Sequence, residues 1–161
     1  VGSVAPSSKS LGKLMSRDIK SDFRVLELGP GTGALTRHIL EKLDSTEQLT
    51  LIEKDEEFSE ICRKKYPSLD VRQADAGLFL KDSPEQFDAI ISGIPFVMLP
   101  LEKRAPIFKS IKTALKPQGI FVMFQYSPTT RRELKRLFGN VTTRFTPWNL
   151  PPAFVYTCEK R

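Results

Sequence analysis

The chain has 161 residues, 40% of them hydrophobic and 27% charged, with a formal net charge of +6; that is enough for one domain, residues 1–161, around a single core, and too evenly apolar for disorder. No window approaches the ~18 consecutive apolar residues of a membrane span, the small, polar start from Val1 to Ser10 carries no cleavable signal pattern, and Cys62 and Cys158 stand too far apart for a disulfide framework or a metal-ligand spacing. With a lone His38 arguing against a histidine metal site or a Ser-His-Asp triad, a basic, cytoplasmic protein that binds no metal is expected.

Strands and helices alternate along the sequence. Arg24 to Leu28 is a short apolar strand that runs into a glycine loop, and Ala34 to Leu43 has helical periodicity through Leu35, Ile39, Leu40 and Leu43. Gln48 to Glu53 is a second strand. A helix follows from Asp55 to Tyr66, with Asp55 as its N-cap and Pro67 as its stop. Leu69 to Gln73 and Phe87 to Ser92 are the third and fourth strands. Leu101 to Leu115 is a helix ended by the turn residues Lys116-Pro117-Gln118-Gly119. Ile120 to Gln125 is apolar enough to be a central strand buried on both faces. Thr129 to Phe138 is a last helix. The strands Val141 to Thr146 and Ala153 to Glu159 have no helix between them, so they are expected to pair antiparallel. Such alternation predicts an α/β fold, a doubly wound parallel sheet with helices on both faces.

Charge divides the chain in two. Residues 1–102 carry 13 Lys/Arg and 17 Asp/Glu, a net of −4, whereas residues 103–161 carry 12 and 2, a net of +10. Arg131, Arg132, Lys135 and Arg136 gather on one side of the last helix, opposite Leu134, Leu137 and Phe138. This part of the chain is suited to phosphates, of nucleic acid or of an anionic membrane.

Glu27-Leu28-Gly29-Pro30-Gly31-Thr32-Gly33 lies between the first strand and the first helix of the sheet, where doubly wound folds bind ligands. The spacing Gly29-x-Gly31-x-x-Ala34 also satisfies a dinucleotide fingerprint. However, a carboxylate two residues before the first glycine repels a phosphate and suits a cationic ligand. With that acid, the segment resembles the glycine motif of class I S-adenosylmethionine-dependent methyltransferases. Glu53, at the end of the second strand, stands where an acid holds ribose hydroxyls. Asp75, after the third strand, stands where that class contacts the adenine amine. The cofactor site is therefore expected from Glu27, Gly29, Gly31, Gly33, Glu53, Lys54, Asp75, Ala76, Ser92 and Gly93.

The loop Ser92-Gly93-Ile94-Pro95-Phe96 occupies the place of the Asn-Leu-Pro-Tyr motif of adenine N-methyltransferases, but with Gly93 where the amine acceptor should be. A resemblance covering nearly the whole chain is to bacterial phospholipid N-methyltransferases. It rests on Val4-Ala5-Pro6-Ser7-Ser8-Lys9, Leu26 to Gly33, Ser92-Gly93-Ile94-Pro95, Phe124-Gln125-Tyr126 and Asn149-Leu150-Pro151-Pro152-Ala153, in that order. It implies a seven-stranded Rossmann-like sheet of order 3-2-1-4-5-7-6 with the last strand antiparallel. It also implies transfer of methyl from S-adenosylmethionine, leaving S-adenosylhomocysteine, to the amino head group of a phospholipid such as phosphatidylethanolamine. Tyr126 and Ser92 are the residues expected at the reacting amine. Ile94, Pro95, Phe96, Tyr126, Arg131, Arg132 and Lys135 are expected to meet the substrate. Residues 1–20 are expected as a helical segment over the cofactor, with Ser7 or Ser8 capping its helix, and a further N-terminal membrane helix of the family is expected outside this chain. A monomer lying on the inner face of the cell membrane follows from the same resemblance. RNA adenine methylation and a small-molecule acceptor are the alternatives. His38 is expected at the surface, Trp148 packed in its loop, and both cysteines buried.

Overall fold

Four apolar residues, Val25–Leu28, make the short central strand β1, and all four are buried because strands flank it on both sides and helices cover both faces. In the computed structural model, which describes residues 9–161, the elements in chain order are α1 (Lys9–Met15), β1, α2 (Thr36–Leu40), β2 (Leu49–Glu53), α3 (Glu56–Lys65), β3 (Asp70–Gln73), α4 (Ala76–Asp82), β4 (Phe87–Ser92), α5 (Leu101–Ala114), β5 (Leu115–Gln125), α6 (Arg131–Phe138), β6 (Asn140–Thr146) and β7 (Ala153–Glu159). The sheet has the order β3-β2-β1-β4-β5-β7-β6. β1 to β5 run parallel, and β7 is antiparallel to both β5 and β6. This is the doubly wound arrangement that the strand and helix pattern predicts.

Alternate residues of each strand feed two cores. Leu26, Leu28, Ile90, Phe121 and Met123 face Phe108 and Ile111 of α5 and Leu134 and Phe138 of α6. Val25, Leu49, Ala89, Val122 and Val155 face Leu11 and Met15 of α1, Ile39 of α2 and Cys62 of α3. Full burial of one such side chain stabilises the fold by ~1.5–3 kcal/mol, so the two faces hold the helices firmly in place.

Four expectations are corrected by this packing. α4 has no counterpart in the sequence reading, because Gly77 and the short run hide its periodicity; what starts it is Asp75, whose Oδ1 accepts from the Gly77 and Leu78 amides at 2.9 and 3.1 Å. The Lys116–Gly119 stretch is not only a turn. It is a bulge inside β5, with Leu115 opposite Phe87, Ile120 opposite Ala89, and Gln118 at φ 62. His38 is buried, since α1 lies on it: a Cβ on Gly12 would stand 2.1 Å from His38 Cδ2. Trp148 is not packed but 83% exposed. Cys62 and Cys158 are buried free thiols, as expected.

Candidate functional site

The parallel strands end in step. Leu28 pairs with Ile52 and Ser92, and Glu53 pairs with Gln73. The ladder continues briefly into the loops, with the Gly29 amide donating to Ile52 O, the Ala74 amide to Glu53 O and the Gly93 amide to Leu28 O, at 2.9, 3.0 and 2.9 Å. Residues following β1, β2, β3 and β4 therefore meet at one edge. Gly29 and Gly33 hold φ of +66° and +77°, and a Cβ on them would stand 2.9 Å from Ile94 Cγ1 and 2.8 Å from the Tyr66 ring. Both the backbone conformation and the space require glycine there. Gly31 differs. A Cβ there would meet nothing within 4 Å, so the loop leaves open space above it.

Three acids surround this loop. Glu27 is fully buried on the α2 side of the sheet, and its Oε2 accepts from the Thr36 hydroxyl at 2.7 Å. Its Oε1 meets no donor among the described residues. Burial pushes this carboxyl up to about 8; the Thr36 hydrogen bond opposes the rise and the nearby Glu53 charge adds to it. Such a group becomes an anion when a cation is brought to it. Glu53 is also buried, with Oε2 accepting from the Gly31 amide and Oε1 from the Asp55 amide, each at 3.0 Å. Asp75 caps α4 and lies 3.4 Å from Lys54 Nζ through its Oδ2. Burial works against its charge, but the Leu78 and Gly77 amides and the Lys54 ammonium outweigh it and hold the carboxyl below its ordinary value.

A cavity of ≈ 260 Å³ opens between these groups on the α4 and α5 side. Of the residues expected around a cofactor, it is lined by Gly29, Glu53, Lys54, Asp75 and Ala76; Glu27 lies within β1, and Gly31 and Gly33 belong to the loop that follows it. Ile94, expected against substrate, lines this cavity instead, as do Leu99 and Ile107, which the sequence reading missed. No described residue of α1 lines it: the helix packs on β5, β6 and β7, and Ser7 and Ser8 lie outside the described residues.

The residues expected at the acceptor separate into two groups. Tyr126 follows β5, half-exposed, its ring edge-on to Phe124 at 5.7 Å. Arg131, Arg132 and Lys135 are exposed on α6, and Arg131 Nε donates to Thr143 Oγ1 at 3.1 Å. Pro95 is exposed beside the cavity. Two expectations are corrected. Phe96 is fully buried, 4.8 Å from the Phe108 ring and 6.3 Å from that of Phe121, so it is a core residue and presents no face to a substrate. Ser92 is fully buried as well, and its hydroxyl accepts from the Ile94 amide at 3.1 Å. It shapes the loop rather than reaching an amine. Gly93 explains itself by packing, since a Cβ on it would stand 2.8 Å from the Gly29 carbonyl oxygen.

The sequence reading also missed a clamp on the glycine loop. Cys62 Sγ donates to Gly31 O at 3.2 Å, Lys65 Nζ to Thr32 O at 3.2 Å, and Tyr66 OH to Gly33 O at 2.9 Å. Successive carbonyls of the loop are thereby held by the last turn of α3 and by Tyr66, which caps it. The i, i+4 spacing of Cys62 and Tyr66 was the available signal. Burial, with the Glu27 and Glu53 charges, pushes the Cys62 thiol up to about 11, so it acts as a donor and not as a nucleophile.

Residues 25–119 match a family described as a methyltransferase domain. The ornithine lipid N-methyltransferase of Singulisphaera acidiphila is 32% identical, over 99% of this chain and 88% of its own length. The ribosomal RNA small subunit methyltransferase A of Malacoplasma penetrans is 34% identical, over 67% of this chain but only 38% of its own length. Among solved structures, a precorrin-6y C5,15-methyltransferase from Geobacter metallireducens superimposes with a TM-score of 0.75 at 12% identity, covering 96% of this chain and 89% of that one.

Proposed function

From the premise that this chain belongs to the class I S-adenosylmethionine-dependent methyltransferases, we propose that it is an N-methyltransferase acting on the primary amine of a membrane aminolipid. Bound S-adenosylmethionine supplies a methyl group on a sulfonium, open to in-line displacement by a neutral amine. The residues of this chain fit that group. Glu27 Oε1, buried and without a donor among the described residues, faces the loop where an ammonium would complete it. The open space at Gly31 accommodates a close ligand. Glu53 carries spare lone pairs for two hydroxyls beyond the two amides it already accepts. Asp75 and Ala76 border the cavity as partners for the adenine amine and face. Tyr126, half-exposed at the end of β5, is the wall on which an amine would be held, by hydrogen bond or cation–π contact. Holding attack geometry of this kind can supply ~7–11 kcal/mol.

The observation that favours a lipid amine over adenine is Gly93. An asparagine side chain in its place would run into the Gly29 carbonyl, so the end of β4 has no room for the side-chain oxygen that would hold an exocyclic amine of adenine. The correspondence to a lipid N-methyltransferase over 99% of the chain supports the same reading. Ornithine lipid and phosphatidylethanolamine both present a primary amine, and phosphatidylethanolamine is the acceptor expected from the sequence. Among the described residues no helix is long and apolar enough to cross a membrane.

The test is methyl transfer from labelled S-adenosylmethionine to vesicles containing either lipid, run beside ribosomal RNA. Label in one or both lipids, with the methylated forms separated by chromatography, is the expected result. Label in RNA alone would replace this reading with the nucleic-acid one.

A further inference from the structure

Nine large apolar side chains stand exposed among the described residues. All nine leave the fold at the carboxyl end of the sheet, the end that holds the cofactor cavity. They lie in the first turns of α3, α4 and α5, directly after β4 and β5, and along the last residues of β6 and the β6–β7 connection. The antiparallel pairing of β7 brings that connection to the same edge, because Phe154 sits opposite both Gln125 and Phe145. The opposite end of the sheet exposes none among the described residues. The most exposed are Leu150 at 89%, Trp148 at 83% and Met98 at 75%. Leaving such groups in water is unfavourable, and their segregation to one rim marks a contact surface.

We propose that this rim is a membrane-docking surface, seated on an anionic bilayer through Trp148, Leu150 and Phe145, so that the cavity opens toward the lipid head groups. The inference rests on the aminolipid reading and adds the face by which the protein would reach its substrate. Three observations support a bilayer. First, the apolar tip is braced from beneath: Asn149, buried between Trp148 and Leu150, donates to the Pro151 carbonyl at 2.7 Å, so its two neighbours are turned outward. Second, cations sit beside the aromatics. Lys13 of α1 and Arg17 just after it share a groove of ≈ 400 Å³ with Phe145 and Trp148, and the Ser10 and Thr146 hydroxyls, 2.7 Å apart, hold that helix to the loop. Arg131 and Arg132 stand exposed at the start of α6, just past Tyr126. Aromatic and aliphatic groups that enter the interface beside lysines and arginines at head-group depth are what an anionic bilayer binds. Third, the exposed acidic residues of the rim, Asp55, Glu56 and Glu57 at the start of α3 and Glu102 in the first turn of α5, lie on the helices that follow β2 and β4, while the β6–β7 connection carries none, which places the seat on the β5-β7-β6 half. RNA would match the cations but has no use for exposed Leu150 and Met98, which neither stack on bases nor meet phosphates.

The chain contains one tryptophan, so fluorescence excited selectively at tryptophan reports on this loop alone. Vesicles of phosphatidylcholine with phosphatidylglycerol should shift Trp148 emission to the blue, and brominated acyl chains should quench it, both more than phosphatidylcholine alone. Flotation of the Trp148→Ser, Leu150→Ser double variant with the same vesicles should fall roughly tenfold or more, as loss of that apolar contact implies. Flotation of the unaltered protein with Trp148 still at its aqueous emission would overturn the proposal, because another face would then be docking. A blue shift produced instead by an RNA hairpin, or by raising protein concentration without lipid, overturns it in favour of nucleic acid or self-association. Methylation of detergent-dispersed aminolipid separates the two ideas: if it persists while vesicle docking fails, the surface falls and the acceptor stands, and the reverse pattern removes the acceptor alone.

Discussion

Glu53 and Gly31 are joined by a hydrogen bond of 3.0 Å from the Gly31 amide to Oε2, so the acid closing β2 supports the loop that follows β1. Its other oxygen accepts from the Asp55 amide at 3.0 Å, at the start of α3. One carboxylate thus fixes two loops before any ligand is present. In Glu53→Gln the side chain can accept through only one atom, and its NH₂ must face the other amide. Leaving that amide unpaired costs about 1–3 kcal/mol. The expected outcome is a lower thermal midpoint without cofactor together with cofactor binding weakened by about tenfold or more. A stability left unmoved in the presence of weakened binding would mean that Glu53 serves the ligand only.

Glu27 sets a dependence on pH. Its carboxyl is pushed from 4.5 to about 8, mainly by burial. Between those values the folded chain holds a proton that the unfolded chain has released, so stability without cofactor falls as pH rises through this window and stays low above it. A bound ammonium acts in the opposite sense, favouring the ionised form. Binding of S-adenosylmethionine below pH 8 should therefore release a proton and strengthen as pH rises toward that value. Titration calorimetry in buffers of different ionisation enthalpy measures the proton directly. Glu27→Gln should abolish the release and weaken binding, while leaving the free protein as stable as the parent or more so at alkaline pH.

Much of this arrangement was legible in the sequence because it is local. Apolar runs mark the strands, and acids at the ends of β1, β2 and β3 mark the cofactor end. Phe87–Ser92 and Ala153–Glu159 match the structure residue for residue. What escaped depends on partners distant in the chain. Phe96 follows a proline in a loop and looks available; it is buried because Phe108 and Phe121 arrive from α5 and β5. His38 has polar neighbours on its own helix and is covered by Gly12, 26 residues earlier. The hydroxyl of Tyr66 and the carbonyl of Gly33 are 33 residues apart, and no spacing rule connects them.

Tyr66 offers a direct measure of that clamp. Tyr66→Phe keeps the ring against Gly33 and removes only the hydroxyl that donates to its carbonyl. Chemical denaturation should show a loss of about 0.5–1.5 kcal/mol, the net contribution of one such hydrogen bond. Cofactor dissociation should rise several-fold, since the loop would sample conformations away from the ligand. A variant as tight and as stable as the parent would remove α3 from the account of the loop.

Gly93 is the position at which conversion to an adenine-type motif should fail. Gly93→Asn would supply the acceptor that such enzymes use, yet its Cβ would lie 2.8 Å from the Gly29 carbonyl oxygen, a backbone atom that cannot swing aside. Forcing the two loops apart costs about 1–3 kcal/mol. The expected result is weakened cofactor binding and lower stability for both Gly93→Ala and Gly93→Asn, with no methylation of RNA gained by the latter. Activity on RNA acquired by Gly93→Asn would show that the loops adapt and that the lipid reading leans too heavily on this glycine.

Asp75 combines two roles that paired substitutions can separate. Its Oδ1 caps α4 through the Gly77 and Leu78 amides, while Oδ2 lies near Lys54 at the cavity. Because the folded chain holds this carboxyl below 3.8, it contributes stability above that pH and loses it as the pH falls further and the group takes up a proton. Asp75→Asn keeps an oxygen for the cap and gives up the charge. It should retain most of the neutral-pH stability, lose this acid dependence, and bind cofactor less well. Asp75→Ala also gives up the cap, at about 0.5–2 kcal/mol, and should fall below Asp75→Asn in thermal midpoint at every pH. If the two variants bind cofactor equally poorly, the carboxylate charge is what the adenine amine requires. If only Asp75→Ala is impaired, the contribution of Asp75 to binding is to hold α4 in place.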